Sequence, residues 1–280
     1  IMQELAKIEK YAGKLRPLPA QPVAEVLVVS DDISFLVAKP NHALHLDLLI
    51  DTPAEIQLAG APVDHYRFAD LETLDLSRYK AVCFLNTIRI PQERRERILR
   101  RFRPDAVFIW HYAPGIWNSA YAPETAEELC GMRLEEHHYD PRQGAEMRLE
   151  NGEVRRREFE DREYPLFRLS GDGLHICGTY PDGSVAFAER IWNGHRHYCC
   201  CLPLLRCEDY RAIFDAAGVH SYAPAGNTVY ADSRFAGIFS RSAVSFAPAL
   251  PKRPVAECIT GDLSATVQMQ AHDARLYLYE

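Results

Sequence analysis

Short apolar runs alternate with polar stretches of helical spacing over the first half of the chain. AEVLVVSDD reads as a buried strand ending in two acids, because an unbroken aliphatic run suits a strand covered on both faces. AKPNHALHLDLLIDTPAEIQLAGAP then reads as one or two helices closed by Gly60 and Pro62. VDHYRF predicts a second strand, YKAVCFLN a third, PQERRERILRRF a helix, DAVFIWHY a fourth strand and PETAEELCGM a helix stopped by Gly131. Strands alternating with helices of about ten residues predict a parallel sheet with helices on both faces, an α/β, doubly wound fold. Upstream, Leu5, Ile8, Ala12 and Leu15 recur at helical spacing before RPLPAQP, so residues 1–22 are expected to be a helical lead-in and linker.

From Arg133 to Cys201 the pattern becomes strand-like, broken by the turn signals YDPRQG, ENGE, SGDG and PDGS, which predict hairpin insertions. HRHYCCCLPLL predicts a strand returning to the main sheet, and CEDYRAIFDAAG a helix ending at Gly218. A first domain is therefore expected over residues 23–217. Residues 218–280 offer five or six short strands between Pro, Gly and Asn turns, expected to form a small antiparallel, sandwich-like β domain.

With 280 residues, 47% of them hydrophobic, the chain can bury a sizeable core. No uninterrupted apolar stretch is long enough for a membrane span. The formal charge of -7 argues against nucleic acid as a partner, since that affinity rests on cations neutralising phosphates. The basic run from Arg89 to Arg103 reads as a surface helix with Ile98 and Phe102 inward and its arginines outward. The chain begins Ile1-Met2, which reads as a piece of something longer, and eight cysteines without a disulfide-like layout weigh toward a reducing, cytoplasmic compartment.

Where a phosphate loop would need glycines the chain has SDDISF, whose acids repel a phosphate. Asp31 and Asp32 suit helix capping first, and a polyol or cation at the carboxyl end of a strand second. His195, His197, Cys199 and Cys201 alternate along one strand face. Together they span roughly 20 Å at about 3.3 Å per residue, too far for one zinc with ligands about 2 Å away. His137 and His138, following Glu135 and Glu136, read as an exposed strand edge. A nucleophile elbow would fall in VFIWHYAPGIWN, after the fourth strand, but His111, Tyr112 and Ala113 stand there. Neither a metal nor a cofactor is expected.

The ordered set AEVLVVSDDISF, AGAPVDHYRFADL, DLSRYKAVCFLNTIRIPQERRERI, VFIWHYAPGI, ETAEELCGMRL and FDAAGVHSYAPAGNTVYADSRFAGI resembles the post-barrel region of glycoside hydrolase family 42 and related β-galactosidase-like proteins. The resemblance covers roughly residues 23–280. It implies a flavodoxin-like, class I glutamine-amidotransferase-like trimerisation domain followed by a small β domain. It implies also a homo-oligomer, a trimer, and a (β/α)₈ barrel upstream carrying the catalytic acids. About four or five βα units can be counted here, where a barrel needs eight, so no catalytic residue carries over. The expected role is then a non-catalytic region of a larger glycoside hydrolase, serving oligomerisation and completing a neighbouring subunit's sugar cleft. Tyr112, Trp117 and Trp192 are the candidates for contact with a partner or a carbohydrate. The alternative is a small enzyme or ligand sensor with a site walled by Asp31, Asp32, Asn86, His111 and Tyr112 at the carboxyl ends of strands one, three and four. A carbohydrate-binding role for the β domain has little support, because it holds Tyr222, Tyr230, Tyr277 and Tyr279 but no Trp.

Overall fold

The computed structural model describes Glu9 and residues 19–36, 43–117, 120–138, 145–157 and 165–279; the expected helix over residues 3–15 and the YDPRQG turn lie outside the described residues. Strand β1 (Val26–Ser30) leads into α1 (Asp32–Phe35), α2 (Ala43–Leu46), a π-helical turn (Asp47–Asp51) and α3 (Thr52–Gln57). Then come β2 (Ala59–Arg67), β3 (Ala81–Phe84), α4 (Gln92–Leu99), β4 (Val107–His111) and α5 (Glu124–Cys130). Seven strands follow: β5 (Arg133–His137), β6 (Ala145–Leu149), β7 (Val154–Arg157), β8 (Leu166–Ser170), β9 (His175–Thr179), β10 (Val185–Trp192) and β11 (His195–Cys200). Helix α6 (Cys207–Ala216) precedes β12 (Asn227–Ala231), β13 (Phe235–Ser240), β14 (Val244–Phe246), β15 (Ala256–Glu257), β16 (Val267–Met269) and β17 (Ala274–Leu278).

The chain divides into two units, one of residues 27–54 and 65–206, the other of residues 1–26, 55–64 and 207–280. In the larger unit the strand order is β1-β3-β4-β11-β10-β9-β6-β7, with β8 against β10 and β5 against β8. β4 pairs parallel with β3 and β11, as expected for strands whose residues are buried on both faces. Aromatic side chains fill this centre: Phe84 stacks on Trp110 at 4.2 Å, and Phe102 meets Phe108 edge-on at 5.4 Å. Helix α4 buries Ile98, but not all of its arginines face outward. Arg95 is buried, and Arg101, just beyond the helix, donates to the carbonyls of Leu71 and Leu74. Helix α5 buries Ala126, Leu129 and Cys130 and stops at Gly131, whose φ of 73° is left-handed. The Trp192 ring lies 2.7 Å from where a Cβ on Gly131 would stand.

The doubly wound, flavodoxin-like or amidotransferase-like fold expected above is not what forms. Helix makes up only 20% of the described residues, and among them fifteen strands dominate as mixed sheet, ten in the ladder of the larger unit and five in that of the smaller. The parallel part is continued by antiparallel strands, because β10 pairs with β11 from Phe187↔Cys200 to Trp192↔His195 and brings the hairpins of residues 133–192 into the same ladder. Ladder hydrogen bonds join backbone to backbone, so the side-chain pattern that located each strand did not reveal its neighbours. The helical stretch also closes earlier than expected, since Ala59, Gly60, Ala61 and Pro62 belong to β2.

In the smaller unit β12 pairs parallel with β2, and β12-β13-β17-β15 continue antiparallel, while β14 and β16 form a separate hairpin. Residues 218–280 thus do not make a stand-alone antiparallel sandwich, because their sheet takes in a strand from much earlier in the chain. The core here gathers Tyr222, Val229, Ile238, Phe246, Val267, Met269, Tyr277 and Tyr279. The Glu257 carboxylate accepts the backbone N–H groups of Ile259, Thr260, Gly261 and Leu276. Burial alone would raise its pKa, but the Thr260 hydroxyl and these N–H groups hold it below the ordinary value.

Candidate functional site

Open sheets with parallel strands place ligands beyond the carboxyl ends of those strands. At the end of β1, Asp31 caps α1, its Oδ2 accepting the Ser34 N–H at 2.7 Å. The Asp31 N–H donates to Asn86 Oδ1 at 2.7 Å, and Asn86 Nδ2 donates back to the Asp31 carbonyl at 2.9 Å. That reciprocal pair ties the end of β1 to the residues after β3. Asp32 is exposed and lies 3.5 Å from Arg67, which itself grips Asp70 at 2.9 and 3.1 Å.

Asp31, Asp32 and Asn86 line a cavity of about 330 Å³ together with Phe35, His65 and Tyr66. Its volume falls at the lower end of small-ligand pockets, about 300–1,000 Å³. Asn86 is spent on the strand-end pair, and the remaining polar side chains at the cavity include Asp32, His65 and Tyr66. An exposed carboxylate, an imidazole and a phenol beside an aromatic ring suit a small hydroxylated molecule. Phe35, His65 and Tyr66 were not singled out from the sequence. The only available signal was their position, directly after a predicted strand end and within VDHYRF, where alternation would send one of them toward the site.

The other expected wall residues sit elsewhere. His111 ends β4 and is buried, with Nδ1 2.8 Å from the Phe84 carbonyl; burial pulls its pKa down to about 4 and leaves it neutral. Tyr112 is buried at a left-handed φ of 65°, its hydroxyl donating to the Pro165 carbonyl at 2.7 Å and its ring edge-on to Phe167. Neither residue is among the walls of the cavity. Both fasten β4 into the sheet and the neighbouring loop, so these two residues are packed where the sequence offered them as site walls. Trp117 is 40% exposed and bridges to Tyr121, itself 47% exposed, leaving two aromatic side chains at the surface. Burial and the neighbouring Glu136 raise the Tyr121 pKa. Trp192, by contrast, packs on Gly131, with Nε1 donating to the Glu128 carbonyl at 3.1 Å and the Arg190 guanidinium over its ring.

The remaining sequence candidates resolve into packing. The His137 side chain is buried and stacks on Tyr180 at 3.9 Å, and Glu135 is held by Arg168 and Ser170. Cys199, Cys200 and Cys201 are buried thiols. Among the described residues no three His, Cys, Asp or Glu side chains come together as a metal set. No helix among them is long and apolar enough to cross a membrane.

No known family profile and no curated protein matches the sequence. Solved structures do match its fold. A β-galactosidase from Bacillus circulans sp. alkalophilus superposes with a TM-score of 0.71 and 14% identity, over 99% of this chain and 44% of that one. Gan42B, a GH42 β-galactosidase from G. stearothermophilus, gives 0.69 and 15%, over 99% and 43%. A β-galactosidase from the haloarchaeon Halorubrum lacusprofundi gives 0.68 and 15%, over 96% and 42%. The chain therefore has the fold of part of a GH42 β-galactosidase and spans less than half the length of these proteins.

Proposed function

We propose that the chain is a non-catalytic region of a larger glycoside hydrolase of β-galactosidase type, serving oligomerisation and completing a neighbouring subunit's sugar cleft. The observation that carries this reading is the near-complete superposition of the chain on less than half of several β-galactosidases. The site chemistry agrees with it. Glycoside hydrolysis takes two carboxyl groups about 5–10 Å apart, flanking the scissile bond. In the cavity at the carboxyl ends, Asp31 is committed to capping α1 and Asp32 pairs with Arg67. The catalytic acids in this reading reside on a (β/α)₈ barrel outside this chain, and Trp117 and Tyr121 are the side chains offered to a partner or a sugar.

Two measurements on the purified chain test the proposal. Sedimentation equilibrium is expected to give an oligomer, a trimer on the family resemblance, and Trp117→Ala with Tyr121→Ala to weaken it. Hydrolysis of a chromogenic galactoside by the chain alone would overturn the non-catalytic part, and a strictly monomeric mass would overturn the oligomeric part. The 330 Å³ cavity favours a second reading, a sensor of small hydroxylated ligands. Saturable binding of galactose by the monomer, abolished in Asp32→Asn, would establish it.

A further inference from the structure

The cavity of about 330 Å³ beyond β1 and β3 has Asp31 and Asp32 in its wall and, among the described residues, no lysine or arginine. Every polar atom of Asp31 but one is spent. Its N–H donates to Asn86 Oδ1, its carbonyl accepts from Asn86 Nδ2 and the Phe35 N–H, and Oδ2 accepts the Ser34 N–H. Oδ1 is left without a donor, and it is not sealed in protein, since Asp31 keeps 9% of its surface. A carboxylate this far buried with an open, unpaired oxygen calls for a donor, because burial strips hydration that only a partner restores.

One guanidinium stands nearby, that of Arg67, and it is engaged elsewhere. It pairs with Asp70 through Nε and Nη2 at 3.1 and 2.9 Å, and reaches Asp32 only at 3.5 Å, both side chains of that contact being well exposed. Such a contact is worth little. Asp31, Asp32 and Asp70 thus stand near a single guanidinium, and none of its contacts reaches Asp31. Phe35 and Tyr66 add aromatic rings to the same wall, whose faces attract a cation, and Leu49 and Leu85 add apolar surface.

We propose that this cavity binds a hydroxylated small molecule bearing a protonated primary amine, an amino sugar by class, with the ammonium received by Asp31 Oδ1 and attracted also by Asp32. The proposal rests on the reading of this cavity as a site for small hydroxylated ligands and adds the charge of the ligand.

Calorimetric titration of the chain at pH 7 with galactosamine, galactose and N-acetylgalactosamine tests it, because the three share one ring and differ only in the ammonium, hydroxyl or amide at one carbon. Galactosamine is expected to bind saturably at one site, about tenfold or more tighter than the other two, the worth of one charge-assisted hydrogen bond. Asp31→Asn keeps an acceptor for the cap and replaces the open carboxylate oxygen by an amide. It is expected to bring galactosamine to within about twofold of galactose. Galactosamine bound by Asp31→Asn as tightly as by wild type would overturn the proposal. Galactose bound as tightly as galactosamine would also overturn it while leaving the hydroxylated-ligand reading in place, and binding of none of the three would overturn both. Should Asp31→Asn fail to fold, the wild type decides: a preference for galactosamine under about twofold overturns the proposal.

Discussion

Replacing Gly60 by Ala should unlock the edge of the smaller unit. Gly60 has a φ of +82°, and a Cβ built there would lie 2.0 Å from the Ala223 carbonyl oxygen and 2.8 Å from that of Pro224. Its own carbonyl accepts the N–H groups of Tyr222 and Ala223 at 2.8 and 3.2 Å. The left-handed conformation costs an alanine about 1–2 kcal/mol. Relieving the clash moves the backbone and forfeits those two hydrogen bonds, at about 1 kcal/mol each. The expected loss is ~3–4 kcal/mol, a fall of about 13–17 °C in the melting temperature of a unit of this size. Gly226→Ala serves as the control, because Gly226 shares the left-handed backbone at φ +88° but has nothing within 4 Å of its would-be Cβ. It should lose only the conformational part, ~1–2 kcal/mol. Urea unfolding followed by Tyr fluorescence compares the two variants. Losses equal to within about 0.5 kcal/mol, below the worth of a single hydrogen bond, would refute the close approach of Gly60 to the 223–224 backbone.

Three further outcomes are expected. His111 has a pKa of about 4 in the folded chain against an ordinary 6.5, so the unfolded chain takes up a proton that the folded one refuses. Its contribution is complete above pH 6.5 and is lost as the pH falls toward 4, so urea midpoints at pH 7, 5.5 and 4.5 should fall less steeply in His111→Phe; parallel curves would contradict its burial as a neutral ring. Asp31→Ala should cost ~1 kcal/mol through the lost cap, while Asp31→Asn, which keeps an acceptor, should stay within about 0.5 kcal/mol of wild type in thermal melts. Glu257 has a lowered pKa, so it stabilises above the unfolded carboxylate range and loses that contribution as the pH falls through its folded value. Glu257→Gln should therefore be less stable than wild type at pH 7 and converge on it in acid, as followed by circular dichroism.

Much of the local structure was legible along the chain. The runs beginning at Val26, Ala81, Val107 and His195 are strands, Gly131 stops its helix, and Ile98 and Phe102 are buried. Asp31 caps a helix because a short acceptor after a strand is the natural partner for exposed N–H groups. The candidate site was legible only in part. Asp31, Asp32 and Asn86 do meet at one cavity, since the segments that follow β1 and β3 end side by side. His111 and Tyr112 looked equally polar in the sequence, yet each finds a backbone carbonyl and is packed away. The arginines of ERRERILRRF looked uniformly external, and only the approach of α5 shows that Arg95 is buried against Glu128.

By itself, then, the sequence determined where strands and helices lie and which positions are apolar, because backbone preference and side-chain periodicity act between residues close along the chain. Only the tertiary structure decided that the hairpins of residues 133–192 extend the main ladder, that β2 joins the sheet of the last sixty residues, and that the Trp110 indole donates to His197. Those outcomes depend on backbone groups and buried donors finding partners far along the chain, and no local pattern records which partner each one finds.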